Sequence, residues 1–443
     1  MKARDGAYEV LEKIQAGAYA NLALDQFFEG PGSDLSRLDR NFLTELVQGT
    51  VKYRLYLDWI IDQLVQKPGQ LKSGPRNMLR MGFYQLCFMD KIPPRAATYE
   101  TVNMAKHRFH SGVASLINGV LRNWLRDPGK IRWPDEKAEP AQYLSVTQSH
   151  PLWMVEDWLQ RYGFEQTRFL CEYNNQPPEL WIRTNTLRTN RQALIESLTA
   201  QGCQVKPGRY APESLELLSG PAIRELEAFQ QGWFTVQDES SMLAAHGLAP
   251  LPDEQVLDTC AAPGGKTTHM AQLMQDRGRI LAWDLHPHRV ELIDENSRRL
   301  GIHIIEARTQ DVMKAEVSAE GTFQKILVDA PCSGLGVLRR RSDARWRKTP
   351  QEICQLAAIQ KDMLKHALEF LAPGGRLLYS TCTIQPEENQ LLVESVLEET
   401  SGFVPASLPF ESLGLGSCSM LQCLPFLHGL EGFFLAAIER KES

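Results

Sequence analysis

The sequence has no Cys-x-x-Cys pair, although nine cysteines are scattered over its 443 residues. An odd number of widely spaced thiols argues against a disulfide framework and against a structural zinc site, so no metal is expected and individual thiols are left to be explained. No apolar run approaches the ~18 residues that span a bilayer, and the opening Met-Lys-Ala-Arg-Asp-Gly-Ala-Tyr-Glu-Val lacks the apolar stretch of a secretory signal. A cytoplasmic protein without membrane contact is the expectation. Internal repeats and low-complexity segments are missing too, which excludes a solenoid or a fibrous chain. Nor is there an excess of positive charge: 48 Lys and Arg stand against 54 Asp and Glu, a net charge of -6. That balance hides an asymmetry. Residues 1 to 130 hold 18 basic against 13 acidic side chains, and the remainder 30 against 41, so the amino-terminal part is compatible with a face turned to nucleic acid or with a merely solvated surface.

What is present is enough chain for two or three domains, at roughly 100–200 residues each. Apolar residues recur at helical spacing over Ala7 to Ile14, Arg40 to Gln66, Pro75 to Met89, Ala97 to Phe109 and Val113 to Leu125, with breaks at Gly30-Pro31-Gly32, Lys67-Pro68-Gly69 and Pro93-Pro94. Residues 1 to 135 therefore read as an all-helical domain. A polar, proline-bearing linker runs from Asp127-Pro128-Gly129 to Glu139-Pro140. Residues 141 to 235 mix helices (Pro151 to Tyr162, Arg191 to Gln201) with short strands (Leu180 to Thr184, Leu215 to Leu218) and read as a small α+β module. From 236 to 443 apolar strands alternate with amphipathic helices: Gln255 to Thr259, Arg279 to Trp283, His303 to Glu306, Gln324 to Ala330, Gly375 to Cys382 and Gly432 to Glu439 are the strands. Such alternation calls for an α/β domain with a largely parallel sheet between helices.

The first of these strands runs through Leu257-Asp258-Thr259 into Cys260-Ala261-Ala262-Pro263-Gly264-Gly265-Lys266-Thr267-Thr268 and then a helix. In open α/β sheets ligands bind beyond the carboxyl ends of the strands, and glycine lets the backbone approach them closely. Gly265-Lys266-Thr267 also suggests the phosphate loop of nucleotide hydrolases, with Ile326-Leu327-Val328-Asp329 as its partner strand, but that loop needs a glycine where Cys260 stands. Asp284 ends the second strand 20 residues after Gly264, where a carboxylate accepts hydrogen bonds from ribose hydroxyls, so a nucleoside cofactor is favoured. Asp311, beyond the third strand, is a candidate for the adenine edge or a solvated loop residue.

The fourth strand ends in Asp329-Ala330-Pro331-Cys332-Ser333-Gly334 and the fifth in Ser380-Thr381-Cys382-Thr383. A single cysteine reads by default as inert core. Two of them at strand ends above one cofactor loop suit a demanding reaction, methylation of a cytosine at carbon 5. A thiolate added at carbon 6 makes carbon 5 nucleophilic enough to take a methyl group from a sulfonium. An acid near ring nitrogen 3 assists the addition, and Asp329 could serve if it held a proton; its alternative is a turn-capping carboxylate ahead of Pro331. Arg339, Arg340, Arg341, Arg345, Arg347 and Lys348 follow, interrupted by Asp343 and Trp346, a loop that could contact phosphates and stack a base or be a solvated face.

On these residues the chain resembles the RNA 5-methylcytosine methyltransferases of the NOL1/NOP2/Sun group. The resemblance rests on Cys260 to Lys266, Asp329-Ala330-Pro331-Cys332-Ser333, Arg339-Arg340 with Asp343 and Trp346, and Ser380-Thr381-Cys382-Thr383 followed by Pro386-Glu387-Glu388-Asn389. Ile117-Asn118-Gly119-Val120-Leu121-Arg122 resembles the NusB-like extension of bacterial members. The resemblance implies a Rossmann-like domain using S-adenosylmethionine, preceded by an RNA-contacting α+β module and a NusB-like RNA-binding domain. It implies further that Cys382 is the covalent nucleophile, that Cys332 releases the product, and that Cys260 to Lys266, Asp284, Asp311 and Asp329 hold the cofactor. The implied partner is 16S ribosomal RNA or its small-subunit precursor, acted on by a monomer. A catalytically silent RNA-binding assembly factor of the same fold is the alternative. Two positions depart from the group's pattern: Ser342 stands where proline often precedes the aspartate, implying a less rigid basic loop, and Gln310 replaces the usual glycine before Asp311.

Overall fold

The computed structural model describes residues 3–442 and divides the chain into two compact units, one of 1–176 with 338–347, the other of 177–337 with 348–443. The first unit is helical. Ala3–Gln15, Ala20–Glu29, Arg37–Lys52, Arg54–Leu64, Ser73–Phe88, Pro94–Arg108 and Ser111–Arg126 are its principal helices. They pack their apolar stripes into one core that includes Val10, Leu43, Leu46, Leu57, Ile61, Met78, Phe83, Ile117 and Leu121. The helix expected over Arg40 to Gln66 is broken at Tyr53, whose φ of -91° and ψ of 21° leave the helical region. Its ring stacks on Phe88 with centroids 4.0 Å apart, so side-chain packing here overrides an uninterrupted apolar period. Close approach needs a glycine at one crossing: a Cβ on Gly49 would lie 1.8 Å from the Tyr84 ring. Pro140–Thr147 and Leu152–Asn175, the latter kinked at Gly163, also belong to this unit, so the helical body continues beyond the expected boundary near 135.

The second unit holds two sheets. Strands β1 (Trp181–Thr184), β2 (Gln204–Pro207), β3 (Ser214–Ser219) and β4 (Phe234–Val236) form an antiparallel sheet in the order β2-β3-β1-β4, with Leu194 and Leu198 of the helix Arg191–Ala200 in its core. The second sheet contains β5 (Gln255–Asp258), β6 (Arg279–Asp284), β7 (Ile305–Thr309), β8 (Phe323–Asp329), β9 (Leu371–Thr381), β10 (Phe403–Pro405), β11 (Met420–Cys423) and β12 (Phe433–Arg440). Its order is β10-β12-β9-β8-β5-β6-β7, with β11 also paired to β12. The pairs from β9 to β7 are parallel, and β12 runs antiparallel beside β9. The chain leaves β5 toward β6 on one side and later places β8 on the other, so the strand order reverses between β5 and β8, the position at which ligands bind in such sheets. Among the described residues no helix is long and apolar enough to cross a membrane.

Candidate active site

The turn after β5 enters the helix Gly265–Leu273 through Gly264, whose φ of 95° is left-handed and suits glycine. Thr267 on the first turn of that helix donates 2.7 Å to Asp258, whose full burial pushes its carboxyl up to about 7. Asp284, 3% exposed at the end of β6, accepts from the Ala262 and His286 amides at 3.3 Å and faces Arg289 at 3.3 Å. The loop Cys260 to Gly265 is thus tied to the second strand end, and its glycines and buried carboxylate suit the sugar and polar tail of a nucleoside cofactor. Cys260 is held among apolar side chains, with burial raising its thiol to about 12, so it lines the loop as a neutral group. Asp311 accepts from the Met313 amide at 3.1 Å and caps the short turn Val312–Lys314, with Lys314 at 3.4 Å.

Lys266 projects from the same helix to Asp329 at the end of β8, with Nζ 2.6 Å from Oδ2. Ser380 on β9 donates to the other carboxylate oxygen at 2.8 Å. Burial works against the ammonium, but Asp329, through charge and hydrogen bond, and Cys382 outweigh it and raise the Lys266 pKa. Asp329, the candidate acid on condition that it held a proton, has both carboxylate oxygens engaged by donors, Lys266 at 2.6 Å and Ser380 at 2.8 Å.

Because β8 and β9 are adjacent and parallel, with Asp329 opposite Ser380, the segments beyond them emerge side by side. The Sγ atoms of Cys332 and Cys382 lie 3.2 Å apart, well beyond the ~2.05 Å of a disulfide, so both are free thiols in contact. Two thiolates at that separation repel strongly, and one must keep its proton. The bond from Cys382, burial and the charges of Cys382 and Glu388 all raise Cys332, while the Lys266 ammonium acts on Cys382.

Sequence reasoning quoted Glu388 without giving it a task. It is fully buried and its carboxylate accepts from the Ser333 amide (2.8 Å), the Ser333 hydroxyl and Gln360 Nε2 (2.9 Å). Asn389 accepts from Thr381 at 2.6 Å and donates to the Thr383 carbonyl at 3.0 Å. The two residues after Pro386-Glu387 thus bolt the Cys332 segment to the Cys382 segment. A Cβ on Gly336 would meet the Gly432 carbonyl oxygen at 1.9 Å, because the Gly336 amide donates to the Cys382 carbonyl at 3.0 Å and its carbonyl accepts from Gly432 at 2.9 Å.

Residues 338–347 fold with the helical unit. Arg345 is fully buried, and its guanidinium donates to the Ser149 carbonyl (3.0 Å), Asn175 Oδ1 (2.9 Å) and the Asn174 carbonyl (3.2 Å). Both terminal nitrogens bond inside the protein and the side chain has no exposed surface, which sets it apart from the expected RNA contacts. Arg339 is 4% exposed and stacks on Tyr173 at 4.0 Å. Arg340 is half-buried and Arg341 exposed. Trp346 donates to the Val51 carbonyl at 2.7 Å, Asp343 accepts from the Ala20 amide at 3.1 Å, and Ser342 donates to Gln48 at 2.9 Å. The loop that Ser342 was expected to loosen is pinned by that very side chain.

A further cluster was invisible in the sequence because its members come from three distant segments. Glu213 ahead of β3 lies 2.9 Å from His246 and 2.7 Å from His269, all three within reach of one metal ion. The separations are those of hydrogen bonds, and the buried Arg183 guanidinium, donating to Thr268 at 2.9 Å, makes the surroundings unwelcoming to a cation. We read it as a buried polar clamp between the small sheet and the cofactor-loop helix.

Residues 245–439 match the family model described as 16S rRNA methyltransferase RsmB/F, residues 150–224 that of the ferredoxin-like domain of RsmF/B-like methyltransferases, and residues 1–126 that of the NusB family. The chain is 39% identical to the probable ribosomal RNA small subunit methyltransferase B of Bacillus subtilis (strain 168), over 99% of this chain and 98% of the relative. The chain belongs to the ribosomal RNA small subunit methyltransferase B family. A second member, the probable methyltransferase B of Synechocystis sp., is 36% identical over 99% of this chain and all of its own length (100%). Among solved structures, the crystal structure of PH0851 superposes with a TM-score of 0.81 at 27% identity, covering 99% of this chain and 98% of that one. NSun6 from Pyrococcus horikoshii with SFG gives 0.59 at 25% identity, covering 67% and 100%. The three-part organisation read from the sequence, NusB-like helices, a small α+β module and a Rossmann-like methyltransferase domain, is that of the methyltransferase B family.

Proposed function

We propose that this methyltransferase transfers a methyl group from S-adenosylmethionine to carbon 5 of a cytosine in 16S ribosomal RNA, through a covalent bond to Cys382. The observation that carries the reading is the pair of free thiols 3.2 Å apart at neighbouring strand ends, beside the Lys266–Asp329 ion pair. The family membership and the SFG complex of a structural neighbour support the cofactor, and the names of the relatives support ribosomal RNA as substrate. S-adenosylmethionine supplies an electrophilic methyl group, and Cys260 to Lys266 and Asp284 are the residues that would hold it, with Asp311 and Asp329 flanking them.

The Cys382 thiolate adds to carbon 6 of the base, the sulfur–carbon bond forms and the electron pair of the ring double bond moves to carbon 5. Lys266, held by Asp329, offers a proton or hydrogen bond toward the base edge and limits the charge that builds there. After methylation the proton on carbon 5 passes to a water molecule, its electron pair re-forms the double bond, and the bond from carbon 6 to the Cys382 sulfur breaks, the electron pair returning to that sulfur. Cys332, in contact with that sulfur, assists this elimination. The base must be unstacked for the attack, so a single-stranded or loop cytosine is the substrate form. Transfer of tritiated methyl groups and denaturing gels test the assignment together. Cys382→Ala is expected to lose both transfer and adduct, whereas Cys332→Ala accumulates a gel-stable protein–RNA complex. A stable complex from Cys382→Ala and none from Cys332→Ala would reverse the roles.

A further inference from the structure

The loop after β5 has a donor for every carbonyl from Ala261 to Gly265. Ala261 accepts from the Gly264 amide at 2.7 Å, Ala262 from Arg289 at 3.0 Å, Pro263 from Asn296 at 2.9 Å and Gly264 from the Thr268 hydroxyl at 2.7 Å. Gly265 accepts from Arg183 at 2.6 Å. With its carbonyls committed inside the protein, the loop keeps for a ligand the first amides of the helix Gly265–Leu273 and the space its glycines leave. Four of the five donors stand on the loop itself, on that helix or on the helix Pro287–Leu300. Arg183 does not. It is on β1, outside the methyltransferase match of 245–439 and inside the ferredoxin-like match of 150–224.

Arg183 is fully buried, and among the described residues it joins no ion pair. The charge of Glu213 reaches it, but that carboxylate is bonded to His246 and His269. Its other acceptors are neutral, Gln237 Oε1 and the Thr268 hydroxyl at 2.9 Å. Burial accordingly lowers its pKa to about 9, with Glu213 opposing and Arg299 adding to the shift. An unpaired guanidinium out of water is disfavoured, so stability of the small sheet does not account for it. Its geometry does. One terminal nitrogen holds the Gly265 carbonyl, and the other holds the Thr268 hydroxyl, which itself bonds the Gly264 carbonyl. The planar fork therefore fixes two consecutive peptides of the cofactor loop at once, which a single-point cation cannot do.

We infer that Arg183 is a positioning residue for the cofactor, and that the small antiparallel sheet thereby completes the S-adenosylmethionine site. The inference rests on S-adenosylmethionine being the cofactor. It gives the α+β module a task on the cofactor loop that is separate from any contact with the substrate.

Isothermal titration calorimetry of the full-length protein with S-adenosylmethionine, and separately with S-adenosylhomocysteine, tests it beside initial rates on a 16S ribosomal RNA transcript. Arg183→Lys keeps the charge but cannot span both acceptors. It is expected to weaken binding of both compounds about tenfold and to raise KM for S-adenosylmethionine equally, with kcat within about twofold of wild type. Gln237→Met removes the acceptor that steadies the guanidinium and should weaken binding about threefold; it carries the test if Arg183→Lys does not fold. The control on the same strand is Asn185→Ala, whose side chain bonds the Gly232 and Leu300 carbonyls and Gln272, none of them in the loop. That variant should melt lower and bind both compounds as wild type does. Wild-type affinity in Arg183→Lys and Gln237→Met, or an equal loss of affinity in Asn185→Ala, overturns the positioning role while the cofactor stands. A wild-type protein that binds neither compound overturns the cofactor reading and the inference with it.

Discussion

Glu388→Gln isolates the bolt between the two cysteine segments. The native carboxylate is fully buried and accepts three hydrogen bonds, two from Ser333 and one from Gln360. Hydrogen bonds to a charged group contribute about 1.5–3 kcal/mol and neutral ones about 0.5–1.5, so neutralising the acceptor without changing its size removes about 1 kcal/mol from each. The loss is then about 3 kcal/mol, unless the Ser333 hydroxyl turns wholly to Thr383, 2.8 Å away, which would soften it. For a unit of this size that lowers the unfolding transition by on the order of 5–10 °C. The kinetic effect is more discriminating. The bond from the Ser333 amide fixes the residue after Cys332, so loosening it shifts Cys332 relative to the Cys382 sulfur, and misplacement by about 1 Å can cost about 100-fold. If Cys332 assists release, the variant slows in turnover and accumulates the gel-stable RNA adduct, as Cys332→Ala does. Calorimetry and adduct gels on the same preparation read both effects. A variant that melts lower but turns over normally without adduct refutes the positioning argument and leaves Glu388 a stabilising residue only.

Arg345→Met should destabilise the helical unit by about 3 kcal/mol, because the Ser149 and Asn174 carbonyls lose a buried donor; chemical denaturation reads the loss, and the salt slope of RNA binding should stay at its wild-type value. A reduced slope would return Arg345 to the RNA-facing side chains. Acid should weaken the fold well before the carboxylates titrate. Burial lowers His269 to about 4 and brings His150 well below its usual range, so between about pH 6.5 and 4 the unfolded chain binds protons that the folded one does not. Stability is therefore full above about 6.5 and lost as pH falls, with His269 alone accounting for about 3 kcal/mol by pH 4. His269→Gln should flatten thermal melts across that window; an unchanged pH profile would mean that the Glu213 clamp keeps the ring charged.

Much of the catalytic sheet was legible because β5, β6, β8 and β9 carry near-continuous apolar runs that end at polar turns, and parallel strands buried on both faces leave that trace. The strands that sequence reasoning overlooked, β2, β4, β10 and β11, are three or four residues long, too short to show alternation. The helix Ala20–Glu29 was overlooked as well; Tyr19 ahead of it caps nothing, and it carries no start signal. In the site, chemistry-bearing residues at strand ends could be named, but their contacts could not. Lys266 was assigned to the cofactor, and its strongest partner is Asp329. The burial of Arg345 was illegible for a physical reason: charge in a sequence suggests solvent or phosphate, and nothing local reveals that backbone carbonyls of Ser149 and Asn174 wait to receive it. The same holds for Glu213, whose two histidines are 33 and 56 positions away.

The segment 338–347 also bears on how the protein is made. Residues 1–176 of the helical unit leave the ribosome before the catalytic strands, yet the side chains that complete the unit, Arg345 and Trp346, are synthesised only after about 160 intervening residues, a wait of roughly ten to thirty seconds at ordinary elongation rates. Until then the carbonyls of Val51, Ser149 and Asn174 lack the side-chain donors that Trp346 and Arg345 bring. The nascent helices must therefore persist unfinished while the catalytic strands emerge, and a gene fragment stopped at 176 would yield a body lacking its last piece.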